Sequence, residues 1–567
     1  MKNKLFFILC FLLITCSKRN PVHGQNGMVV STSRQASKVG IDILDKGGNA
    51  VDAAVAVGFT LAVTSSSNGN IGGGGFMVAR LSDETTFTLD YREMAPQAAF
   101  KDMYLDSVGN VIKGKSTRTH FASGVPGSVD GLLKAWSDYG SGNISINQLI
   151  DPAIKYAERG FKLSKYEAKR FNNRKSFLSK HPETKRIFTR KDRKWKAGDI
   201  FYQKDLAETL KRIVEKGRDG FYLGKTAELI VSEMDNAGGW ITLEDLKNYS
   251  SKYREPIYGQ FNDFKIISMG PPSSGGILLV LMLNMIGEIF KSNANDLDNL
   301  KFNSRDYVHL ITEVERRAYA DRATHLGDDD FWDVPASMLL SKKYAQMRVK
   351  DIDLSQASLS KVIKAGNSKG NESEETTHYS VVDKDGSAVS VTTTINSGYG
   401  SGITVRGAGF ILNNEMDDFS IKPGYPNQYG LIGSIANSIK PGKRMLSSMT
   451  PTIVLDSSNE LFLSLGSPGG STIITTVAQI INNIIDFKMD IQQAIESSRI
   501  HHQWYPDIIQ YESKAINEDT RLKLESMNHK LVRRSSIGEA NCIFYDSNQS
   551  LFFGASDTRR SSYSIAY

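Results

Sequence analysis

The sequence contains few cysteines, only three in 567 residues. Cys10 and Cys16 lie near the N-terminus, and Cys542 is then alone in the rest of the chain. One cysteine cannot form an intrachain disulfide, so the stability of the fold must come from the size of its core. A chain of this length is too long for one ordinary core, which predicts several layers or more than one domain.

Several common site signatures are also missing. The nine histidines include no His-Glu-x-x-His pair, and no cysteine pair accompanies them, so no zinc site is recognisable. The adjacent His501 and His502 are interpreted as structural. No Gly-x-Ser-x-Gly element of a serine hydrolase is present. The glycine run at 72–75 is followed by a predicted strand and by no Gly-Lys-Ser/Thr, which favours close backbone packing or a substrate-facing loop over a phosphate loop.

Long apolar runs are absent beyond the N-terminus. Residues 1–24 are predicted to be a signal peptide, because two lysines precede an apolar run at 5–15 that is too short to span a bilayer. Leu-Ile-Thr-Cys at 13–16 resembles a lipoprotein box, with Cys16 open to lipidation, although threonine before the cysteine is atypical. The alternative is cleavage nearer residues 22–24, giving a soluble periplasmic or secreted protein. The apolar stretch at 277–290 carries Asn284 and Glu288 and is interpreted as a core helix.

The net charge of +7 has one main location. Between Lys162 and Lys196 there are fourteen Lys or Arg residues and three acids. Such a run could bind nucleic acid or lipid headgroups, but helical charge runs are usually solvated surface. We therefore interpret the segment as surface and expect no nucleic-acid partner.

Hydrophobic periodicity and turn residues predict a mixed helical and β chain. The middle of the chain, from about 125 to 350, is predicted to be mostly helical, including a long amphipathic helix at 305–322. The other predicted helices are at 34–46, 50–63, 206–215, 227–236 and 472–485. The predicted strands are at 76–81, 86–91, 379–382, 388–393, 452–455 and 461–465.

The most informative motif is Glu-Glu-Thr-Thr-His-Tyr-Ser at 374–380. Residues 355–375 are polar, which predicts a flexible, exposed segment, and the hairpin around Lys384-Asp385-Gly386 begins just after them. A threonine hydroxyl is a poor nucleophile without a neighbouring base. The α-amine of Thr376 could be that base if the chain were cut before this residue.

Three other elements carry polar groups suited to a site. Arg92 ends a predicted strand, where its guanidinium could grip a carboxylate or merely pair with Glu93. The segment at 413–419 holds three carboxylates that could bind Ca²⁺, act as acid and base, or hold an ammonium group. Gly469 and Gly470 lie between a strand and a helix, where backbone N–H groups could bind an anion, stabilise an oxyanion or simply form a tight turn.

The order of these motifs along the chain resembles that of γ-glutamyltranspeptidases, within the N-terminal nucleophile hydrolase superfamily. The matching segments run from about residue 27 to the C-terminus and include 48–54, 72–77, 92–96, 272–276, 376–380, 413–420, 446–449 and 466–470. The resemblance implies a four-layer αββα sandwich. It also implies self-cleavage between Glu375 and Thr376 into a large subunit (25–375) and a small subunit (376–567) that stay together as a heterodimer.

The resemblance further assigns roles to residues. Thr376 would be the nucleophile, Thr394 would support it, and the N–H groups of Gly469 and Gly470 would stabilise the oxyanion. The substrate would be glutathione or another γ-glutamyl compound, and the acceptor water, an amino acid or a peptide. The α-carboxylate of the γ-glutamyl group would be held by Arg92, Ser447 and Ser448. Its α-ammonium would be held by Asn396, Glu415 and Asp418.

The family carries either Gln or Glu at the position of Glu415. Residues 423–444 match a loop that covers the pocket in many members, with Tyr429 at its tip. No metal or organic cofactor is implied. The protein is expected to be exported, either periplasmic or lipid-anchored at the bacterial outer membrane. Two rivals remain: an acylase acting on glutaryl or cephalosporin side chains, which shares the fold and nucleophile, and a noncatalytic surface lipoprotein.

Overall fold

The computed structural model describes residues 20–292, 300–364 and 376–567 of the chain. Its centre is formed by two seven-stranded antiparallel sheets. Sheet I has the strand order Tyr563–Ala566, Gly27–Ser31, Thr377–Asp383, Ala388–Thr394, Gly74–Arg80, Thr86–Asp90 and Lys252–Arg254. Sheet II has the order Val22–Gly24, Leu551–Ser556, Asn541–Asp546, Leu461–Gly466, Thr452–Leu455, Phe264–Ser268 and Ile257–Phe261.

The two sheets pack face to face, and helices cover both outer faces. A fully buried apolar cluster that includes Met28, Phe76, Ile453 and Ile543 lies between the sheets. Helices against sheet I include Arg34–Asp45, Ala50–Thr64, Ser128–Tyr139, Ile146–Arg159 and Lys204–Lys216. Helices on the sheet II side are Gly275–Ser292, Arg305–His325 and Thr472–Ile485. The expected four-layer αββα sandwich is confirmed.

Shorter elements complete the fold. The remaining α-helices of the described residues are Lys115–Arg118, Lys165–Asn173, Lys175–Leu178, Pro182–Phe188, Asp219–Tyr222, Gly224–Asp235, Leu243–Asn248, Ala336–Leu339, Lys342–Val349, Ile491–Glu496 and Glu518–Ser526. Single 3₁₀ turns occur at His120–Ala122, Glu415–Asp418 and Ile435–Asn437. Small sheets join Ile500–His501, Ile509–Glu512 and Leu531–Arg534, and Phe161–Lys162 with Ile200–Phe201.

The predicted elements agree with the structure to within a few residues where local signals were strong. The second helix begins at a capping box in which the side chains of Asn49 and Asp52 each accept a backbone N–H of the other residue. The helix Thr472–Ile485 has the predicted bounds. The apolar stretch around Asn284 is indeed a buried helix, Gly275–Ser292.

Two predictions were wrong in part. The helix Arg305–His325 exists, but it is not amphipathic, because every residue from Tyr307 to Ala323 is buried. Several of its charged residues are tolerated inside because they pair, as Arg317 does with Glu313. The segment predicted to be exposed from 355 is anchored near its middle, where Ser360 and Ile363 are buried and their carbonyls accept hydrogen bonds from Trp504. Residues 365–375 lie outside the described part of the chain.

Of the predicted leader, the structure describes only residues 20–24. Residues 1–19, with most of the predicted leader and Cys16, lie outside the described residues. Residues 22–24 form an edge strand of sheet II, paired with Leu551–Ser556. Within the described ranges, no helix has both the length and the apolar character needed to cross a membrane.

Candidate active site

Thr376 lies at the start of a central strand of sheet I. The following strand, Thr377–Asp383, pairs with Ala388–Thr394 in a register that sets Thr377 opposite Thr393. Continued by one residue, this register places Thr376 opposite Thr394. Thr376 is buried, and its carbonyl accepts a hydrogen bond of 2.8 Å from Asn68 Nδ2. The Thr394 hydroxyl accepts one of 2.7 Å from the Asn396 N–H.

The glycine run at 72–75 packs against this strand end. Asn70 Nδ2 donates to the Thr394 carbonyl at 2.8 Å, and Asn70 Oδ1 accepts the Gly73 N–H at 2.8 Å. A Cβ on Gly73 would collide with the Thr394 carbonyl, so a side chain is excluded there. Close backbone packing is therefore the reason for the glycines.

The nearest histidine cannot serve as the base for Thr376. His378 is fully buried, and burial lowers its pKa to about 3. Its ring nitrogens contact Thr392 Oγ1 at 2.9 Å and Ser380 Oγ at 3.1 Å. His378 is a neutral structural group that links the strands Thr377–Asp383 and Ala388–Thr394.

Gly469 and Gly470 connect the strand Leu461–Gly466 to the helix Thr472–Ile485. Their φ angles are +140° and +55°, in the region that favours glycine. No residue in the described part of the chain accepts a hydrogen bond from either N–H group. The pair thus presents two backbone donors at the N-terminal end of a helix, an arrangement suited to an oxyanion.

Arg92 is fully buried and lies among carboxylates. Its Nη1 is 2.7 Å from Glu415 Oε2, and its Nη2 is 2.7 Å from Asp418 Oδ2. Its Nε donates to the Met445 carbonyl at 3.3 Å. Burial acts to lower the pKa of Arg92, but Glu415, Glu93 and Asp418 outweigh it and raise the pKa, so the guanidinium stays charged.

Three carboxyl groups surround this single cation. Glu93 lies 3.5 Å from Arg92 Nη1. Burial raises the pKa of Glu93 to about 8, that of Glu415 well above its usual range, and that of Asp418 in the same direction. Arg92 opposes each of these shifts. The cluster is therefore rich in acid, and a second cation entering it would favour the ionised carboxylates.

The site connects to the nucleophile through neighbouring backbone. Asn396 Nδ2 donates to the Asn414 carbonyl at 2.9 Å, and the Asn414 N–H donates to the Ile395 carbonyl at 3.2 Å. The Thr394 hydroxyl also acts to lower the pKa of Glu415, although burial dominates. The structure thus joins Thr394 to the acidic segment, while the Asn396 side chain contacts backbone rather than Asp418.

Ser447 and Ser448 lie in a loop held by the segment before the helix Gly275–Ser292. The Ser447 N–H donates to the Pro272 carbonyl at 2.9 Å, and the Ser274 N–H donates to the Ser447 carbonyl at 2.8 Å. Ser447 Oγ accepts the Met449 N–H at 3.1 Å. Arg92 reaches this loop through the Met445 carbonyl, two residues before Ser447.

Residues 423–444, the predicted lid, lie over these elements. Tyr429 is buried, and its ring is so close to Gly470 that a Cβ there would be 2.9 Å from it. Asn427 Nδ2 donates to Asp418 Oδ1 at 3.1 Å. The loop therefore contacts both the glycine pair and the acidic cluster.

Several residues of this site carried no assignment from the sequence. Asn68 and Asn70 flank a glycine, a pattern that signals only a turn. Glu93 follows Arg92 and could be any surface acid. The others are Arg322, which donates to Ser448 only in the folded chain, and Ser274, which accepts from Arg322.

One motif in the sequence is misleading. Residues 109–116 fit the Gly-x₄-Gly-Lys-Ser pattern of a phosphate loop. Only a four-residue helix, Lys115–Arg118, follows. The Lys115 ammonium donates to the Met103 carbonyl at 2.8 Å, and Ser116 Oγ donates to Asp417 at 2.6 Å. Lys115 is thus used on a neighbouring loop and Ser116 on the acidic segment, so the two do not form a nucleotide site.

Comparisons with known proteins show which family the chain resembles. A family model described as Gamma-glutamyltranspeptidase matches residues 36–567. The Glutathione hydrolase proenzyme of Escherichia coli (strain K12) is 44% identical over 541 residues, covering 95% of this chain and 91% of that protein. The crystal structure of Helicobacter pylori gamma-glutamyltranspeptidase is 42% identical with a TM-score of 0.56, covering 60% of this chain and 96% of that one.

A cephalosporin acylase is also similar in structure. The crystal structure of the enzyme from Bacillus halodurans has a TM-score of 0.82 over 99% of both chains, at 24% identity, a likeness that shows the fold alone. The family match, by contrast, extends over nearly all of the sequence. The chain therefore belongs to the γ-glutamyltranspeptidase family.

Proposed function

We propose that this protein transfers the γ-glutamyl group of glutathione and related amides to water or to amino acid and peptide acceptors. The observation that carries the proposal is the buried cluster in which Arg92 contacts Glu415 and Asp418 at 2.7 Å, beside the strand end that holds Thr394. A γ-glutamyl head is a zwitterion, with a carboxylate and an ammonium on one carbon. A buried cation next to excess carboxyl groups complements both charges.

The recognition step assigns the two charges to different sides of the cluster. The substrate carboxylate would be held by Arg92 with the hydroxyls of Ser447 and Ser448. The ammonium would be held by Asp418 and Glu415, with Asn396 bordering the site. Since Arg92 is engaged by both acids in this structure, the entering ammonium would draw the acids toward itself and release guanidinium donors for the carboxylate.

The chemical step uses the groups at the strand end. Thr376 Oγ would attack the γ-carbonyl carbon, and the Thr376 α-amine would accept the hydroxyl proton. The N–H groups of Gly469 and Gly470 would stabilise the oxyanion. The amide nitrogen would then leave with the proton, which forms a γ-glutamyl ester on Thr376. Water or an acceptor amine would attack this ester, restoring the hydroxyl and releasing glutamate or a new γ-glutamyl compound.

Thr376 has a free α-amine only after the bond to Glu375 is broken. We infer that the chain cleaves itself there, giving a large subunit that ends at Glu375 and a small subunit of residues 376–567, with Thr394 supporting the Thr376 hydroxyl. The related E. coli protein is called a proenzyme, which supports this processing. The two parts would remain together, because Thr377–Asp383 pairs with Gly27–Ser31 inside sheet I.

We also propose that the protein is exported and that its leader ends before Cys16. Cleavage there would retain the edge strand Val22–Gly24, whereas cleavage after Gly24 would remove it from sheet II. Lipidation of Cys16 would anchor the protein at a membrane surface. Tyr429 and its loop would close the pocket and limit the access of water.

The acylase alternative is tested with two chromogenic substrates. Wild-type protein is offered γ-glutamyl-p-nitroanilide and glutaryl-p-nitroanilide, which differ only in the α-amino group. We expect kcat/KM to be at least about 100-fold higher for the γ-glutamyl compound, because a glutaryl group leaves the buried acids without a cation. A preference for the glutaryl compound would establish the acylase instead.

A further inference from the structure

Arg322 is a buried cation without a carboxylate partner. Its side chain lies on the helix Arg305–His325 and is 5% exposed. Its Nε donates to Ser274 Oγ at 2.9 Å, and its Nη2 donates to Ser448 Oγ at 3.2 Å. Among the residues that the structure describes, no carboxylate oxygen lies within 4.0 Å of it. Two hydroxyl groups are thus its only side-chain partners.

The other buried arginines of this helix are different. Arg316 pairs with Glu313 and Asp507, and Arg317 pairs with Glu313 and Asp351. Burial of an unpaired charge is costly, so an arginine kept in such a position indicates an anion that arrives later. Burial also lowers the pKa of Arg322 to about 10, with Tyr319 and Asp418 opposing and Arg92 reinforcing this shift. A nearby anion would relieve that cost.

The hydrogen bonds of Arg322 fix the direction of two hydroxyl protons. A guanidinium has donors only, so Ser448 Oγ must accept from it, and the Ser448 O–H is left to donate elsewhere. Ser274 Oγ also accepts from Arg322, and its own O–H is used on the Ser447 carbonyl at 2.6 Å. Ser447 Oγ accepts the Met449 N–H, which likewise leaves its proton available. Both Ser447 and Ser448 are therefore prepared as donors.

We propose that Arg322 is a positioning residue for the α-carboxylate of the substrate, acting through Ser448 and through its own buried charge. The inference rests on the proposed γ-glutamyl function. Arg92 is already paired in this structure with Glu415 and Asp418, each 2.7 Å from one of its terminal nitrogens. Arg322 supplies positive charge on the serine side of the pocket, where no described carboxylate oxygen lies within 4.0 Å of it.

The test compares two anilides that differ in one group. γ-Glutamyl-p-nitroanilide carries the α-carboxylate, and 4-aminobutyryl-p-nitroanilide keeps the amine but lacks the carboxylate. The second is followed in single turnovers with enzyme in excess. For Arg322→Met we expect kcat/KM to fall about 10- to 100-fold on the first anilide, mainly through KM, as for the loss of hydrogen bonds to a charged group. On the second we expect a change of less than about threefold.

Two further variants separate positioning from folding. Arg322→Lys keeps the charge but cannot bridge both hydroxyls, so its loss on the carboxylate substrate should be intermediate. Arg316→Lys changes an ion-paired arginine on the same helix and should affect both anilides equally. An equal loss on both anilides for Arg322→Met would overturn the proposal.

Ser274→Ala keeps the proposal testable if the Arg322 variants are not cleaved. It removes one anchor of Arg322 without touching the hydroxyls of Ser447 or Ser448. A smaller loss confined to the carboxylate substrate supports the proposal, and an equal loss on both substrates overturns it. If the wild-type protein itself fails on γ-glutamyl-p-nitroanilide, the proposed function is what has failed, and the Arg322 comparison is not reached.

Discussion

The two ends of the proposed site use different kinds of polar group. Thr376 has the neutral Asn68 amide as a partner, and the groups proposed to act with it, the Thr394 hydroxyl and the N–H groups of Gly469 and Gly470, are neutral too. Around Arg92 the partners are charged, with three carboxyl groups and a second guanidinium nearby. The neutral donors can stabilise the negative charge that the oxyanion develops only in the transition state. The charged groups complement the γ-glutamyl head group, which is ionised throughout the reaction. Changes at the neutral end should therefore affect kcat on every substrate, and changes at the charged end should affect discrimination between substrates.

The largest effect is expected at the nucleophile. Thr376→Ala should remain a single chain and lose at least about 10⁴-fold in kcat, because the substitution removes the proposed attacking hydroxyl and the uncleaved chain has no free α-amine at residue 376 to act as the base. Thr376→Ser is the matched control, since it keeps the hydroxyl and the α-amine, and it should be cleaved and active. Gel electrophoresis and initial rates measure both effects. Cleavage of the Thr376→Ala protein would contradict the role of the Thr376 hydroxyl in cutting the chain.

The next largest effect is expected at the glycine pair. Gly470→Ala should lower kcat about 10²- to 10³-fold, because φ is +55° and the new Cβ would press against the Tyr429 ring at 2.9 Å. Gly217→Ala is the control, since its φ is +58° and open space surrounds it. The control should lose stability by a similar backbone strain while keeping kcat. Equal rates in the two variants would contradict the oxyanion role.

A smaller and more selective effect is expected at the acids. Asp418→Asn should lower kcat/KM on γ-glutamyl-p-nitroanilide about 10- to 100-fold and change the rate on glutaryl-p-nitroanilide little, because only the first substrate has an ammonium. Asp417→Asn is the control. That neighbouring carboxylate bonds to Ser116 Oγ and the Gln428 N–H, so its loss should affect both substrates equally. An equal loss of rate on both substrates in Asp418→Asn would contradict the claim that the charged end discriminates between substrates.

The smallest effect concerns stability. Burial raises the pKa of Glu93 from 4.5 to about 8, with Asp418 and Asp90 reinforcing and Arg92 opposing. Between these values the folded protein keeps a proton that the unfolded chain releases, so the free energy of unfolding falls as pH rises from about 4.5 to about 8. Glu93→Gln cannot lose that proton, and its Tm should fall less steeply over this range.

Calorimetry from pH 5 to pH 8.5 measures the two slopes. The exposed Glu244→Gln serves as the control and should keep the wild-type slope. A Glu93→Gln slope equal to that of the wild type would show that Glu93 does not hold the proton.

The helices and the hairpin around the site could be predicted from the sequence better than the contacts between distant residues. Helices near the site could be predicted because their signals are local: Asn49 caps one helix, and the helix Thr472–Ile485 follows a glycine pair. Strand pairing could not, since the neighbour of Thr377–Asp383 in sheet I is Gly27–Ser31, about 350 residues away in the chain. The hairpin after Thr376 was the exception, because Gly386 marks its turn.

The contacts at the charged end join residues that are far apart in the chain, so no local sequence pattern predicts them. Arg322 sits in a helix whose polar residues suggested an exposed face, and only the folded structure shows that face to be buried. Its contact with Ser448 joins residues 126 positions apart. Charged side chains usually lie on the protein surface, but ion pairs allow several of them to be buried in this helix. The helix at 305–322 was therefore wrongly predicted to be amphipathic.

The most direct test of the account is the intact mass of purified wild-type protein under denaturing conditions. Self-cleavage before Thr376 predicts two chains, the smaller spanning residues 376–567 and beginning with Thr376, together with release of p-nitroaniline from γ-glutamyl-p-nitroanilide. A single uncleaved chain that nevertheless turns over this substrate would contradict the claim that the α-amine of Thr376 is the base.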